Sequence, residues 1–358
     1  MSKKVMTKED KLAAKEQEKA AKEQEKKAAK EQVKAERAER AKRAKRAEIN
    51  INFDDIDAFD HSKQRRSDND KNNKKREIII CRLWNNEIPN NYYEKSEECE
   101  KSKEWLKHKR LIDKFKQYFC NEKNIPILPD TLTSTTCKIK AGRQNHYDHE
   151  VTINDIVYSI EFKYNVSKIT QCTQIVSLGN PSQYMTLSFE DYFYENGLQE
   201  IAEDVEYFKI PDKEIYKKEV HSTKYNKDLQ DKYYAGSKTS SKFTGEEKDI
   251  NRYNMCCRIS KECIANFISK DEVQLNKEKL SQCLVTKQKN KIYMMYKKGT
   301  IRLEEINSNE FIIDSYEKQP DKSRFIATTT TGRKLEILLR WKNGNGIAYP
   351  GFQIKLIN

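Results

Sequence analysis

The stretch "YDHEVTINDIVYSIEFK", Tyr147 to Lys163, constrains this chain more than any other. Apolar and polar residues alternate on both sides of Asn154-Asp155, and such a pair favours a two-residue hairpin turn. The alternation has the period of a strand. A turn at that place sets Ile153 opposite Ile156, Val151 opposite Tyr158 and Asp148 opposite Glu161. Opposed residues on antiparallel strands share a face, with Cβ atoms about 5 Å apart. Successive side chains alternate faces, so Glu150 and Lys163 join the two carboxylates, and Lys163 falls opposite His146. The other face carries Tyr147, His149, Val151, Ile153, Ile156, Tyr158, Ile160 and Phe162, which suits a core.

Facing carboxylates repel. Either one of them holds a proton or a cation lies between them. A hard divalent cation such as Mg²⁺ takes oxygen ligands and keeps waters that a phosphate can replace. A lysine at its edge would orient or deprotonate a water. The chemistry suggested is metal-assisted hydrolysis of a phosphodiester. An E-x-K triplet alone says little, since Glu9, Glu25 and Glu246 also begin one. Those three stand in polar segments, where a solvated Glu–Lys face explains them, whereas Glu161 stands in an apolar strand.

These residues resemble the PD-(D/E)XK nuclease superfamily, which includes most type II restriction endonucleases. Its motif is an acid at the start of one strand, a hairpin, then E-x-K on the next strand. Asp148 matches the acid and Glu161-Phe162-Lys163 matches E-x-K, while Tyr147 stands where the family's name has proline. The resemblance implies that Asp148 and Glu161 bind Mg²⁺ (or Mn²⁺) with help from the backbone carbonyl of Phe162. It implies that Lys163 activates the attacking water. It also implies a further Glu from the helix before the hairpin, for which Glu104 is best placed and Glu100 next. The motif resemblance covers about residues 77–200. "YNVSKITQCTQ" looks like the passage from strand to helix after the motif, with Gln174 either assisting at the site or, more simply, a glutamine on the helix surface. The ending "LEILLRWKNGNGIAYPGFQIKLI" resembles the C-terminal core of some restriction endonucleases.

The rest of the chain divides by composition. Residues 1–48 are almost entirely Ala, Lys, Glu, Gln and Arg, with "AAKEQEK" repeated in tandem. Strong helix formers and Glu/Lys pairs predict a charged helix. Large apolar residues are too few for a firm coiled coil, leaving a solvated single helix or a weak one. The segment holds 17 Lys/Arg against 10 Asp/Glu, so it carries +7 of the chain's formal +13. Residues 49–76 read as a disordered linker in which "INFDDIDAFD" could also be a docking motif. Its basic end, "KQRRSDNDKNNKKR", fits either a nuclear-import signal or a DNA-contacting arm. Folded sequence begins at "EIIICRLW", 77–84, read as a strand, followed by a helix over about 95–122. "TQCTQIVSL", "YMTLSFEDYFYENGLQEIAEDV" and "INRYNMCCRISKECIANFIS" read as helices, with a polar Lys/Tyr/Ser-rich insertion near 218–250. "KIYMMYKK", "TIRLEEI", "EFIIDSY", "RFIATTTT", "KLEILLRWK" and "GFQIKLI" read as strands.

The expected fold is therefore α/β (α+β) over 77–358: a mixed β-sheet flanked by helices, with a restriction-endonuclease-like core if the resemblance holds. A pI near 9.0 suggests a polyanionic partner, most simply DNA. Arg340, Lys342 and Asn343 lead into a loop whose Gly344 and Gly346 would let the backbone approach phosphates. The tyrosines and lysines of 218–250 are another candidate contact. Nine scattered cysteines without CxxC argue against a disulfide framework and for a reducing, intracellular compartment. No apolar run predicts a membrane span or a secretory signal. The sequence thus predicts a Mg²⁺-dependent DNA endonuclease. A homodimer and a protein partner for the helical tail are both compatible with it. The rival readings are a catalytically inactive nucleic-acid-binding protein of the same fold and a scaffold assembled through the tail.

Overall fold

The computed structural model describes residues 51–60, 68–126, 135–140, 145–204, 209–222 and 225–357. The charged tail expected over residues 1–48 lies outside them. Residues 53–358 form one compact unit.

In chain order the first elements are helices α1 (Asn69–Trp84) and α2 (Glu100–Glu122), then strands β1 (Thr136–Ile139), β2 (His149–Ile153), β3 (Ile156–Tyr164) and β4 (Val176–Gly179). A helical stretch follows: α3 (Phe189–Asn196), α4 (Leu198–Asp204), α5 (Lys213–Glu219), α6 (Lys227–Ala235), α7 (Glu247–Ser269) and α8 (Lys277–Gln288). The chain closes with β5 (Lys291–Lys297), β6 (Thr300–Glu305), β7 (Ile313–Gln319), β8 (Arg324–Thr329), β9 (Lys334–Asn343) and β10 (Ala348–Leu356).

The strands form two five-stranded sheets. The first runs β1-β2-β3-β5-β6 and is mixed, because β3 and β5 are parallel with Glu161 beside Tyr293. The second runs β4-β10-β9-β8-β7 and is antiparallel throughout. Helices α1 and α2 pack on the first sheet, and α7 and α8 on the second. The chain is thus mixed α/β, as composition and period predicted. The six C-terminal strands occur where expected, but they are shared between the two sheets.

Several expectations change. "EIIICRLW" is the second half of a helix. The apolar run alone suits a strand, but Arg76, Ile79, Ile80, Leu83 and Trp84 are buried at helical spacing once the window reaches upstream. Trp84 packs edge-on against Phe115 and Phe119 of α2. Burying side chains of this size stabilises by about 2–3 kcal/mol each. "TQCTQIVSL" is no helix: Val176 and Leu178 point inward from β4, which pairs with Ile354 and Phe352.

Part of the expected linker is also ordered. Phe53–Phe59 forms a 3₁₀ turn with Ile56, Ala58 and Phe59 buried. Trp105 Nε1 donates to the carbonyl of Phe53, and Arg76 Nε to that of Ala58. Arg76 is fully buried, so this residue of the basic stretch is not available to contact DNA. The polar insertion likewise belongs to the fold. Tyr225, Leu229 and Tyr233 are in the core, which removes two tyrosines from any base-stacking role.

Candidate active site

The hairpin forms in the expected register. Ile153 pairs with Ile156, Val151 with Tyr158 and His149 with Ile160. Asn154 and Asp155 both take left-handed φ values, 48° and 62°, as a type I′ turn requires. Regular pairing stops at His149. Asp148 lies one residue beyond the ladder, its N–H donating to the carbonyl of Ile160, so it does not sit squarely opposite Glu161. Its carboxylate turns to the next strand instead, and Oδ2 accepts the backbone N–H of Phe162 at 2.9 Å.

Asp148, Glu161, Phe162 and Lys163 nevertheless line one cleft of about 520 Å³. Lys163 Nζ lies 2.6 Å from Oε1 of Glu161. Glu150 leaves the group and pairs with Lys140 at 2.9 Å. His146 contacts Lys287 and is not opposite Lys163.

The structure adds a carboxylate that sequence reasoning missed. Glu77, on α1, lines the same cleft. Helix α1 is anchored to this end of the sheet by three contacts. His149 Nε2 lies 2.9 Å from the carbonyl oxygen of Glu77. Asn85 exchanges hydrogen bonds with both backbone groups of Cys137 on β1. Cys81 Sγ lies 3.2 Å from the Cys137 carbonyl. The signal for Glu77 was helical spacing, hidden when 77–84 is read as a strand. Glu104 is not in this cleft. It pairs with Lys107 at 2.9 Å and lines a neighbouring hollow with Glu100, Lys101 and Lys298, which meets the cleft at Tyr164 and Asn165.

The cluster's electrostatics are those of crowded acids. Burial, then the charges of Asp148 and Glu161, push the Glu77 carboxyl up to about 8. Burial, then Glu161, push Asp148 up to about 6. Burial works against the charged form of Lys163, but the pull of Glu161 and Asp148 outweighs it and holds the amine above its ordinary value. A second lysine missed in the sequence, Lys291 on β5, lies 3.5 Å from Oε2 of Glu161. Burial lowers its amine.

Among the described residues no three His, Cys, Asp or Glu side chains are already gathered closely enough to hold a metal ion. The cleft offers carboxylate oxygens, and burial first, then neighbouring carboxylate charge, pushes two of the acids, Glu77 and Asp148, toward protonation. Asp148, Glu161 and Glu77 are the residues that could hold such an ion.

Arg340 and Lys342 line a shallow groove with Gln174, Ser177 and Gln353. Gln174 also lines the carboxylate cleft, so the two hollows adjoin. Arg340 hydrogen-bonds Gln353, and Lys342 Nζ stands 5.4 Å from the ring centroid of Tyr349. The loop after Asn343 does not present itself to a ligand. Asn345 binds the Tyr233 hydroxyl, and a Cβ on Gly346 would lie 2.7 Å from Ile201 and Phe193. Its glycines serve the turn and close packing on the helices.

No helix among the described residues is long and apolar enough to cross a membrane. All nine cysteines are free. Fold and cleft define a mixed α/β protein with a half-buried cluster of acids and lysines. No protein-family model, curated protein or solved structure matches the chain.

Proposed function

We propose that this chain is a divalent-cation-dependent DNA endonuclease of the PD-(D/E)XK kind. The observation that carries the proposal is the meeting of Glu77, Asp148, Glu161 and Lys163 in one cleft. Glu77 also supplies what the family resemblance asks for, an acid from a helix before the hairpin. Asp148 and Glu161, with Glu77 and the Phe162 carbonyl, would hold Mg²⁺ or Mn²⁺. Such a cation, when bound, stabilises charge on a phosphoryl oxygen and makes a water more acidic.

The chain's own groups do the rest. The Phe162 N–H keeps Asp148 aimed into the cleft. Lys163, protonated and beside Glu161, donates to a phosphate oxygen or orients the attacking water. In hydrolysis the water oxygen bonds to phosphorus, the bond to the leaving ester oxygen breaks, and that oxygen takes up a proton. Arg340 and Lys342 border the approach to the cleft and neutralise backbone phosphates, which holds the DNA without reading its sequence.

The test is a plasmid assay on the full chain. Mg²⁺ should support nicking or cutting and EDTA should stop it. Glu161→Ala and Lys163→Ala should each lower the rate by about 10²-fold or more while the chain still binds DNA. Full activity in both variants would overturn the site. Binding without any cutting by the native chain would assign a non-catalytic nucleic-acid-binding protein.

A further inference from the structure

Lys291 belongs to the cluster, yet the proposed reaction does not use it. It opens β5 and sits beside Ser159 of β3 in the parallel ladder. Its side chain is 5% exposed, and it is not among the residues lining the cleft. Its amine is largely shielded from solvent and meets the cleft through Glu161. Glu161 has a cation near each oxygen: Lys163 at Oε1 from its own strand, and Lys291 at Oε2 from the neighbouring one. An ammonium so shielded from water is costly unless a charged partner offsets the loss of hydration.

We propose that Lys291 is a positioning residue that clamps Glu161 from behind the cleft. With Lys163 it fixes the plane of the carboxylate, so that Glu161 does not depend on a bound ligand for its orientation. It also sets the charge of the cluster. Glu77, Asp148 and Glu161 oppose two ammonium groups, so the fully ionised cluster carries one net negative charge. Without Lys291 it carries two. Lys291 thus holds the carboxylate in place at the expense of cation affinity. The statement about the cation rests on the nuclease reading; the clamp itself does not.

Two measurements on the full chain test this. The first uses metal-free protein, with K291M and E161Q made singly and together and folding followed by urea denaturation. The clamp requires the two effects to be coupled by at least ~5-fold in the folding equilibrium constant. Additive effects overturn it, whatever the activity. The second is a calorimetric titration with Mn²⁺. K291M should bind Mn²⁺ at least ~5-fold more tightly than the native chain, because a nearby positive charge has gone. Equal or weaker binding would overturn the charge-setting role, since a packing defect alone loosens a site. If the native chain binds no Mn²⁺, the metal-dependent reading fails, and the urea cycle alone decides the clamp.

Discussion

Nε2 of His149 lies 2.9 Å from the carbonyl oxygen of Glu77, and this contact ties β2 to α1 where each brings a carboxylate to the cleft. The bond requires a proton on Nε2, so Nε2 donates. His149 is buried, and Nδ1 has no hydrogen-bond partner among the described residues. Burial holds the imidazole below its ordinary value of 6.5. The unfolded chain then takes up a proton that the folded chain resists. The stability this group contributes is present above pH 6.5 and lost as pH falls. His149→Ala should cost about 2–4 kcal/mol in urea denaturation at pH 7 and show a smaller loss between pH 7 and 5. An unchanged acid slope would show that His149 does not set it.

Glu77 and Asp148 act in the opposite sense. Their folded values, about 8 and about 6, lie above the ordinary carboxylate range. Stability they contribute is complete below pH 4 and is lost as pH rises through 6 and then 8. Metal-free protein should weaken over that interval by an amount on the order of a few kcal/mol. Glu77→Gln should flatten most of the slope above pH 6. Mg²⁺ should raise Tm more at pH 8 than at pH 6, because the cation replaces mutual repulsion with attraction. A Mg²⁺ effect independent of pH would count against the ion sitting among these acids.

The two helix glutamates should separate in kinetics. Glu77→Gln should lower plasmid cutting by about 10²-fold. Glu104→Gln should leave the rate within about 2-fold, since Glu104 lines the other hollow and changes at such exposed sites have small effects. The reverse ranking would return the helix acid to α2.

Arg340→Ala and Lys342→Ala should weaken DNA binding on any sequence. Each should reduce the slope of log affinity against log salt by about 1, the signature of one lost phosphate contact. Filter binding between low and moderate salt reads this directly. A slope equal to that of the native chain would move the DNA off this groove.

The hairpin turn offers a test free of any functional reading. Asp155 sits at φ 62° and Asn154 at 48°. Asp155→Gly should stabilise by about 0.5–1 kcal/mol, because glycine adopts this region without strain. Asn154→Val should cost about 1–2 kcal/mol for forcing a branched side chain into the left-handed region. Thermal melts of both variants should shift in opposite directions.

Much of this was legible in the residues alone. Period 2 around Asn154-Asp155 placed the hairpin, its register as far as His149 and Ile160, and most of its buried face, although Ile156 at the turn is exposed, because strand geometry and turn chemistry are local. The same is true of the six C-terminal strands. Two errors came from short windows. "EIIICRLW" and "TQCTQIVSL" are apolar runs that helix and strand can both bury, and their partners decided between them. The helix needed Arg76 packed under the Phe53–Phe59 turn, and β4 needed the edge of β10.

The sequence by itself determined that Asp148, Glu161 and Lys163 would lie near one another, since they are joined by one tight turn. Only the tertiary structure decided what else meets them. Glu77 arrives 71 positions before Asp148 and Lys291 130 positions after Glu161. Neither approach is encoded in a local period. Helix α1 is set by its contacts with β1 and β2, and β5 by a parallel crossover that closes only when the intervening helices pack. Long-range packing also removed Glu104 from the cleft and buried Arg76. Charge at a position is written in the chain, but whether that charge faces water, a partner or another acid is decided by what the fold lays against it.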